Sequence, residues 1–238
     1  MTSHDSPSDA LTNREIIVFD VNETLLDLRA LGPRFEALLP VEFMGEWFSR
    51  MLRNSLVASI TGRYAPFDRQ GVDALLATAE KAGVEVSKAE AADVIAGMDE
   101  LPPHPDVIPA LERLTAAGYR MATLTNSASS VVTAQIRNAG LDRFFERLLS
   151  VDEIGVFKPA PETYRYAAAQ LNVPIVRIRL VAAHDWDVTG AIRAGARAAF
   201  VARPGAVLGP LAETPDIIEP DLMAVADVLM ERPPGLDR

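Results

Sequence analysis

Apolar positions along the chain fall into short unbroken runs, separated by longer amphipathic stretches. Ile16–Phe19 is the first run. It leads straight into Asp20 and a polar turn before Leu25 and Leu26. A run this short, with no polar alternation, predicts a strand buried on both faces, as in a parallel sheet. Similar runs recur, each behind a helical pattern. YRMATLTN follows a helix expected over 107–117 that stops at Gly118. FERLLSVDE follows VVTAQIRNAGL, RIRLVAAHDWD follows PETYRYAAAQLNV, and ARAAFVAR follows DVTGAIRAG. This alternation implies βαβ units in a doubly wound, Rossmann-like parallel sheet, an α/β fold. Ligands of such sheets bind beyond the carboxyl ends of the strands. Asp20, Thr125, Asn126 and the stretch 184–187 all fall at expected strand ends, so they are expected to converge.

Residues 29–103 break the alternation. FEALLPVEFMGEWFSRMLRNSLVASIT, DRQGVDALLATAEKAG and SKAEAADVIAGMDEL are helical in period or composition, with no strand pattern between them. LPPHP closes the stretch with prolines. The expectation is a helical cap, 29–103, inserted after the first strand into a core built from 1–28 and 104–238. Residues 1–14 and the C-terminal ERPPGLDR read as disordered tails.

Composition then narrows the function. A chain of 238 residues suffices for one sizeable core with an insert. A net charge of −10 argues against nucleic acid as a partner. The absence of cysteine excludes disulfides, thiol nucleophiles and cysteine-ligated metals. His4, His104 and His184 are scattered and lack metal-ligand spacing. No apolar run approaches the ~20 residues of a membrane span, and the N-terminus lacks the order of a secretory signal. The expectation is a cytoplasmic protein acting on a small molecule, without a membrane or nucleic-acid partner.

Four stretches carry candidate chemistry: Asp20 with Asn22 and Thr24; Thr125 with Asn126; Lys158 before Pro159; and AAHDWD, 182–187. Singly, each has a bland structural reading. Asp, Thr and Asn cap turns and helices, and Lys158 could be a solvated loop residue. Together, in this order and mostly at strand ends, they resemble the haloacid dehalogenase superfamily. Asp20-Val-Asn-Glu-Thr24-Leu25 looks like its nucleophile motif. Thr125 matches its second motif, FKPAPETY with Lys158 its third, and Asp187 its acidic fourth. The resemblance covers about residues 16–228 and implies a Rossmann-like core with a helical cap.

Two positions separate branches of that superfamily. Its phosphatases place a general acid two residues after the nucleophile, where this chain has Asn22, which cannot donate and recover a proton as a carboxyl does. They also bind magnesium, usually with an acid four residues before the last motif Asp, where this chain has Ala183. Asp185 is expected to point away. A halide leaving group needs neither acid nor metal. The resemblance therefore narrows to the type II L-2-haloacid dehalogenases, which LTNSAS, LLSVDEIGVFKP and WDVTGA also resemble. It implies hydrolysis of 2-haloacids through an ester on Asp20, with no cofactor. Lys158 would keep Asp20 ionised, and Thr125 would orient the substrate carboxylate. Asn126 would cradle the halide, Trp186 would line the pocket, and Asp187 would position Lys158. Asn22 is placed with the substrate-binding residues, and the family implies a homodimer as the oligomer to test for.

The chain departs from that family twice. His184 stands where the family usually has Asn, either as a positioning donor or as a base for the water that hydrolyses the ester. Phe48 follows Trp47 where the family has the arginine that grips the halide. Phe48, Met51, Leu52, Ser55 and Ser59 share one helical face, expected to front the substrate with Phe48 and Leu52, while Arg50 and Arg53 project roughly opposite. Two further readings stay open: a magnesium-dependent phosphatase using Glu23 as its acid, and a binding module with little turnover.

Overall fold

The computed structural model describes residues 15–231. Six parallel strands form one sheet: β1 (Ile16–Phe19), β2 (Arg120–Thr125), β3 (Arg147–Ser150), β4 (Ile178–Ala182), β5 (Arg197–Val201) and β6 (Ile217–Glu219). Their order is β3-β2-β1-β4-β5-β6. The chain thus steps outward from β1 through β3, returns to β4 beside β1, and steps outward the other way. That reversal between β1 and β4 is where a doubly wound sheet opens a crevice for ligands. Every residue of β1 and β4 is buried, which is why their apolar runs show no alternation. Arg179 in β4 is the polar exception. Glu15 at 2.6 Å and Asp216 at 2.5 Å neutralise it, as a buried guanidinium requires. The sequence pattern did not anticipate β6: it has three residues, and Ile218 is largely exposed.

Among the described residues, four α-helices lie between β1 and the next core helix: α1 (Gly32–Glu36), α2 (Met44–Thr61), α3 (Phe67–Ala82) and α4 (Lys88–Ala96). A 3-10 turn (Val41–Phe43) joins the first two, others flank the set, and no strand interrupts them. α2 and α3 end on Gly62 and Gly83 in the left-handed conformation (φ 66° and 72°), and Ser87 with Glu90 forms a capping box that starts α4. α2 buries Trp47, Phe48, Met51, Ser55 and Ala58. Trp47 Nε1 donates to the Gly71 carbonyl at 3.0 Å, and a Cβ on Gly71 would lie 3.1 Å from Met51 and 3.2 Å from Ile95, so α2, α3 and α4 pack closely. Where the chain leaves and re-enters the sheet layer, the two connections pair: Asp27 N–H donates to Pro102 O and His104 N–H to Leu25 O, both at 2.9 Å. The helical stretch rests on the loops at the strand ends. Ser59 Oγ accepts from Phe157 N–H at 3.0 Å, and Tyr64 stacks on Phe157 while donating to Asp152 at 2.8 Å.

The remaining helices are α5 (Val107–Ala116), α6 (Ser129–Asn138), α7 (Pro161–Gln170), α8 (Asp185–Ala194) and α9 (Leu222–Glu231). Glu231 closes α9, so the C-terminal tail expected from ERPPGLDR loses its first residue to a helix. The rest of it and the expected tail 1–14 lie outside the described residues.

α8 approaches the loop carrying Lys158 as closely as backbone allows. A Cβ on Gly190 would sit 2.5 Å from Pro159 Cβ, 2.6 Å from Tyr164 Oη and 2.7 Å from Pro159 O. Gly190→Ala should therefore cost about 1–3 kcal/mol of stability through overpacking, read as a lower urea midpoint. An unchanged midpoint would show that the loop yields freely.

Candidate active site

Asp20 ends β1, its N–H donating to Val181 O of β4 at 3.0 Å. Its buried carboxylate is held from two sides: Lys158 Nζ donates to Oδ1 at 2.8 Å and Thr24 Oγ1 to Oδ2 at 2.6 Å. Thr24 Oγ1 accepts from Ala183 N–H at 2.9 Å, which fastens the loop after β1 to the end of β4. Among the described residues, Val21 and Asn22 N–H donate to no backbone acceptor.

Lys158 is fully buried, and three acceptors surround its ammonium: Asp20 Oδ1, Asp187 Oδ2 at 2.6 Å and Leu124 O at 2.9 Å. All three of its N–H donors are committed. The other oxygen of Asp187 accepts from Tyr164 Oη at 2.6 Å. Burial pushes the Asp20 carboxyl up, but the Lys158 charge, then His184, then the bonds from Lys158 and Thr24, bring it below the usual carboxylate range. Asp187 goes the other way: burial and the charge of Asp20 outweigh Lys158 and raise it. Lys158 stays protonated, since the two carboxylates overcome its burial.

The loop between Asp20 and Thr24 is tightly fixed. Glu23 adopts the left-handed conformation (φ 62°), costly for a residue with a side chain. Its N–H donates to Leu26 O at 2.8 Å, and its carbonyl accepts from His104 Nε2 at 3.1 Å. Arg203 caps the Thr24 carbonyl at 2.8 Å and grips both oxygens of Asp106 at 2.7 Å. Asn22 turns its Nδ2 to Ser127 at 3.1 Å and its Oδ1 to Gln135 at 2.9 Å, and Gln135 also reaches Met98 O at 3.0 Å. Thr125 Oγ1 accepts from Ser127 N–H at 3.1 Å, and Asn126 Oδ1 from Lys158 N–H at 3.0 Å.

Aromatic rings form one wall. His184 stacks on Trp186 (centroids 5.0 Å apart), and Phe48 from α2 lies 6.1 Å from His184. Trp186 also sits 5.9 Å from the Lys158 ammonium. His184 Nε2 is 3.7 Å from Asp20 Oδ2 and 3.6 Å from Glu23 Oε2. Leu52 is half-buried one turn beyond Phe48. Arg50 pairs with Glu46 at 3.1 Å, Arg53 is exposed, and Arg29 pairs with Asp27. Among the described residues, Lys158 is the one lysine or arginine bonded to Asp20.

Sequence reasoning passed over Tyr164, Gln135 and Arg203. Tyr164 lies within FKPAPETY, six residues after Lys158. Gln135 falls on the apolar face of α6 with Val132 and Ile136, and a polar residue at such a position was the available signal. Arg203 had no local signal, because its partners Thr24 and Asp106 are remote in sequence.

The donors near Asp20 do not fit a divalent cation. Lys158 and Tyr164 take both oxygens of Asp187, Ala183 offers no side-chain oxygen, and Asp185 accepts from Gly209 N–H at 3.3 Å. Among the described residues, no group of three or more His, Asp or Glu side chains is placed to hold a metal ion.

Comparison with known proteins decides the family. The model of a family of hydrolases, haloacid dehalogenase-like hydrolase, matches residues 15–195. This chain belongs to that family. (S)-2-haloacid dehalogenase H-109 of Pseudomonas putida is 31% identical over 222 residues, covering 91% of this chain and 98% of that protein. The L-2-haloacid dehalogenase of Xanthobacter autotrophicus superposes with a TM-score of 0.84 at 29% identity, over 92% of this chain and 99% of that one. The structure of that enzyme with chloropropionic acid covalently bound gives 0.83 at 28% identity, over the same shares. The Rossmann-like sheet and the haloacid dehalogenase resemblance are thus both borne out.

Lys158 is the counter-charge of two buried carboxylates, so Lys158→Met should lower stability by about 3–5 kcal/mol. Without the ammonium, Asp20 and Asp187 would both have folded pKa values above their unfolded ones. A raised carboxyl pKa favours folding as pH falls, so the variant should regain stability between about pH 7 and pH 5. Urea denaturation at both pH values checks this, and a deficit that does not shrink would show the carboxylates to be paired elsewhere.

Proposed function

We propose that this chain hydrolyses small 2-haloacids to 2-hydroxy acids through an ester on Asp20. The observation that carries the reading is Asp20 itself, a buried carboxylate held ionised by Lys158 beside Asn22, a residue that cannot serve as a general acid. The name of the Pseudomonas relative and the covalently bound chloropropionic acid of the Xanthobacter enzyme support it.

In this reading Asp20 attacks C2 of the haloacid in line, and the carbon–halogen bond breaks as the ester forms. Water then adds to the Asp20 carbonyl carbon. The product leaves with inverted configuration, carrying an oxygen that came from Asp20. Asp187 positions Lys158, while Thr125, Asn22 and the open N–H groups after Asp20 orient the substrate carboxylate. Asn126 helps to cradle the halide, and Phe48, Leu52 and Trp186 supply the apolar wall. The substrate enters between a core of 1–28 and 104–238 and a cap of 29–103. No step runs through a metal or cofactor. The described residues contain no helix long and apolar enough to cross a membrane, in keeping with a cytoplasmic enzyme, and a homodimer is the proposed assembly.

Halide release from a panel of 2-haloacids, with phosphate esters in parallel and with and without EDTA, tests the reaction. Halide should appear irrespective of EDTA. Phosphate release lost on chelation and restored by magnesium would replace this reading with the phosphatase. Asp20→Asn should abolish turnover, and a single turnover in heavy-oxygen water should yield unlabelled product. Label in the first product would mean direct attack by water.

Phe48 sets the scale of activity. A charge-assisted contact to a departing anion contributes roughly 1.5–3 kcal/mol, or ~10–150-fold in rate. Phe48→Arg should raise kcat/KM on 2-chloropropionate within that range, and Arg50→Ala should change it little. An inactive Arg50→Ala with no gain from Phe48→Arg would make Arg50 the halide grip.

A further inference from the structure

We propose that His184 is the general base that hydrolyses the Asp20 ester, positioned by Glu23 and supplied with water from the cleft beside them. The inference rests on the dehalogenase reading and concerns its second step.

Three atoms converge next to the nucleophile. His184 Nε2 stands 3.7 Å from Asp20 Oδ2 and 3.6 Å from Glu23 Oε2. Both separations exceed a direct hydrogen bond, so neither carboxylate takes up Nε2, which stays open to a water beside Asp20. The imidazole is not free to swing away, because Trp186 stacks on it and Phe48 lies beyond it. Glu23 reaches this point only because its backbone takes the left-handed conformation, held there by Leu26 O and His104. Strain kept by surrounding bonds at such a place points to use of the side chain it aims. On the other side of the pair lies a polar cleft of about 350 Å³, lined by Glu23, His184, Asp185, Arg203 and the loop 204–207. It gives water a route to His184.

The charged groups facing the imidazole are Asp20 and Glu23 from the loop after β1; Asp185, its neighbour in α8, and Arg203 share the cleft wall. Glu23 is half-shielded, and burial raises its carboxyl above the usual range, against the pull of His184. Once ionised it lies within Coulombic reach of an imidazolium.

The step balances as follows. A water oxygen bonds to the Asp20 carbonyl carbon while Nε2 takes one of its protons. The tetrahedral intermediate collapses, breaking the bond from that carbon to the ester oxygen. The imidazolium returns its proton to the departing alkoxide, which leaves as the 2-hydroxy acid. Asp20 is regenerated as a carboxylate, and its remaining proton passes to solvent. Glu23 neither gains nor loses a proton; its charge stabilises the imidazolium.

The test is rapid mixing with 2-chloropropionate, with chloride counted and intact protein mass measured after quenching. His184→Asn should release about one equivalent of chloride per site as a burst, then turn over at least ~100-fold slower than wild type. It should carry the mass of the ester on Asp20. Glu23→Gln, on a different loop, should accumulate the same adduct with a smaller loss, ~10-fold. Steady wild-type turnover in His184→Asn would overturn the proposal. So would slow release without burst or adduct, which would place His184 in the first step. Accumulation in His184→Asn but not in Glu23→Gln would remove Glu23 from the proposal. If the wild-type protein yields neither halide nor adduct from any haloacid, the dehalogenase reading falls and this inference with it. Halide release by wild type with an unburdened His184→Asn would sink this inference alone.

Discussion

Everything in the site depends on one ammonium shared by two carboxylates. Lys158 is buried, and its three N–H groups point at Asp20, Asp187 and Leu124 O. Two buried carboxylates without that charge would not both ionise, and one of them must be ionised to act as a nucleophile. The sharing is unequal. The Lys158 charge and its bond bring Asp20 below the usual range, while burial and the charge of Asp20 raise Asp187 above it. Tyr164 donates to Asp187, which works against that rise, and leaves Asp20 to Lys158 and Thr24. A buried triad of this kind adds little net stability. Its effect is to keep a naked carboxylate at a strand end where water would otherwise solvate and blunt it.

Holding that triad constrains distant parts of the chain. Lys158 reaches both carboxylates because the following Pro159 presses against Gly190, and any side chain there would push the loop outward. The loop after β1 is fastened to β4 through Thr24 and Ala183, to the returning connection through His104, and to Arg203. Arg203 also ties Asp106, which accepts from Leu222 N–H, so the starts of α5 and α9 are joined to the loop beside Asp20. Much of the geometry around Asp20 is therefore built by hydrogen bonds to backbone carbonyls and N–H groups rather than by packing.

What could be read in the sequence follows from this division. Parallel strands covered on both faces leave unbroken apolar runs, so β1 to β5 were legible, while β6, with an exposed Ile218, was not. The buried face of α2 was legible from its helical spacing, and Phe48 indeed lies against His184. Asp20, Lys158 and Asp187 announced themselves as charged residues at or near strand ends. Their partners did not. Tyr164 meets Asp187 across 23 residues, Gln135 meets Asn22 across 113, and Arg203 meets Thr24 across 179, contacts that only the folded topology defines. Asn22 is a further case: its amide bonds to Ser127 and Gln135, partners that no motif around it reveals.

The aromatic wall gives the two sides of Asp20 different chemistry. Phe48 and Trp186 face His184 with apolar surface, and among the described residues no lysine or arginine other than Lys158 bonds to Asp20. A dry, low-dielectric wall strengthens the remaining electrostatics, so the donors left near Asp20 count for more there than they would in water. Displacement at carbon favours such dryness, because water on that side would solvate the carboxylate. Hydrolysis of the resulting ester needs the opposite. The imidazole of His184 sits at the border, its ring faces in the aromatic stack and its Nε2 turned to Glu23, whose cleft is polar. In the proposed reaction, an apolar ring at Phe48 in place of a cation, with the imidazole of His184 and the Glu23 carboxylate beside it, favours handling water over holding the leaving group.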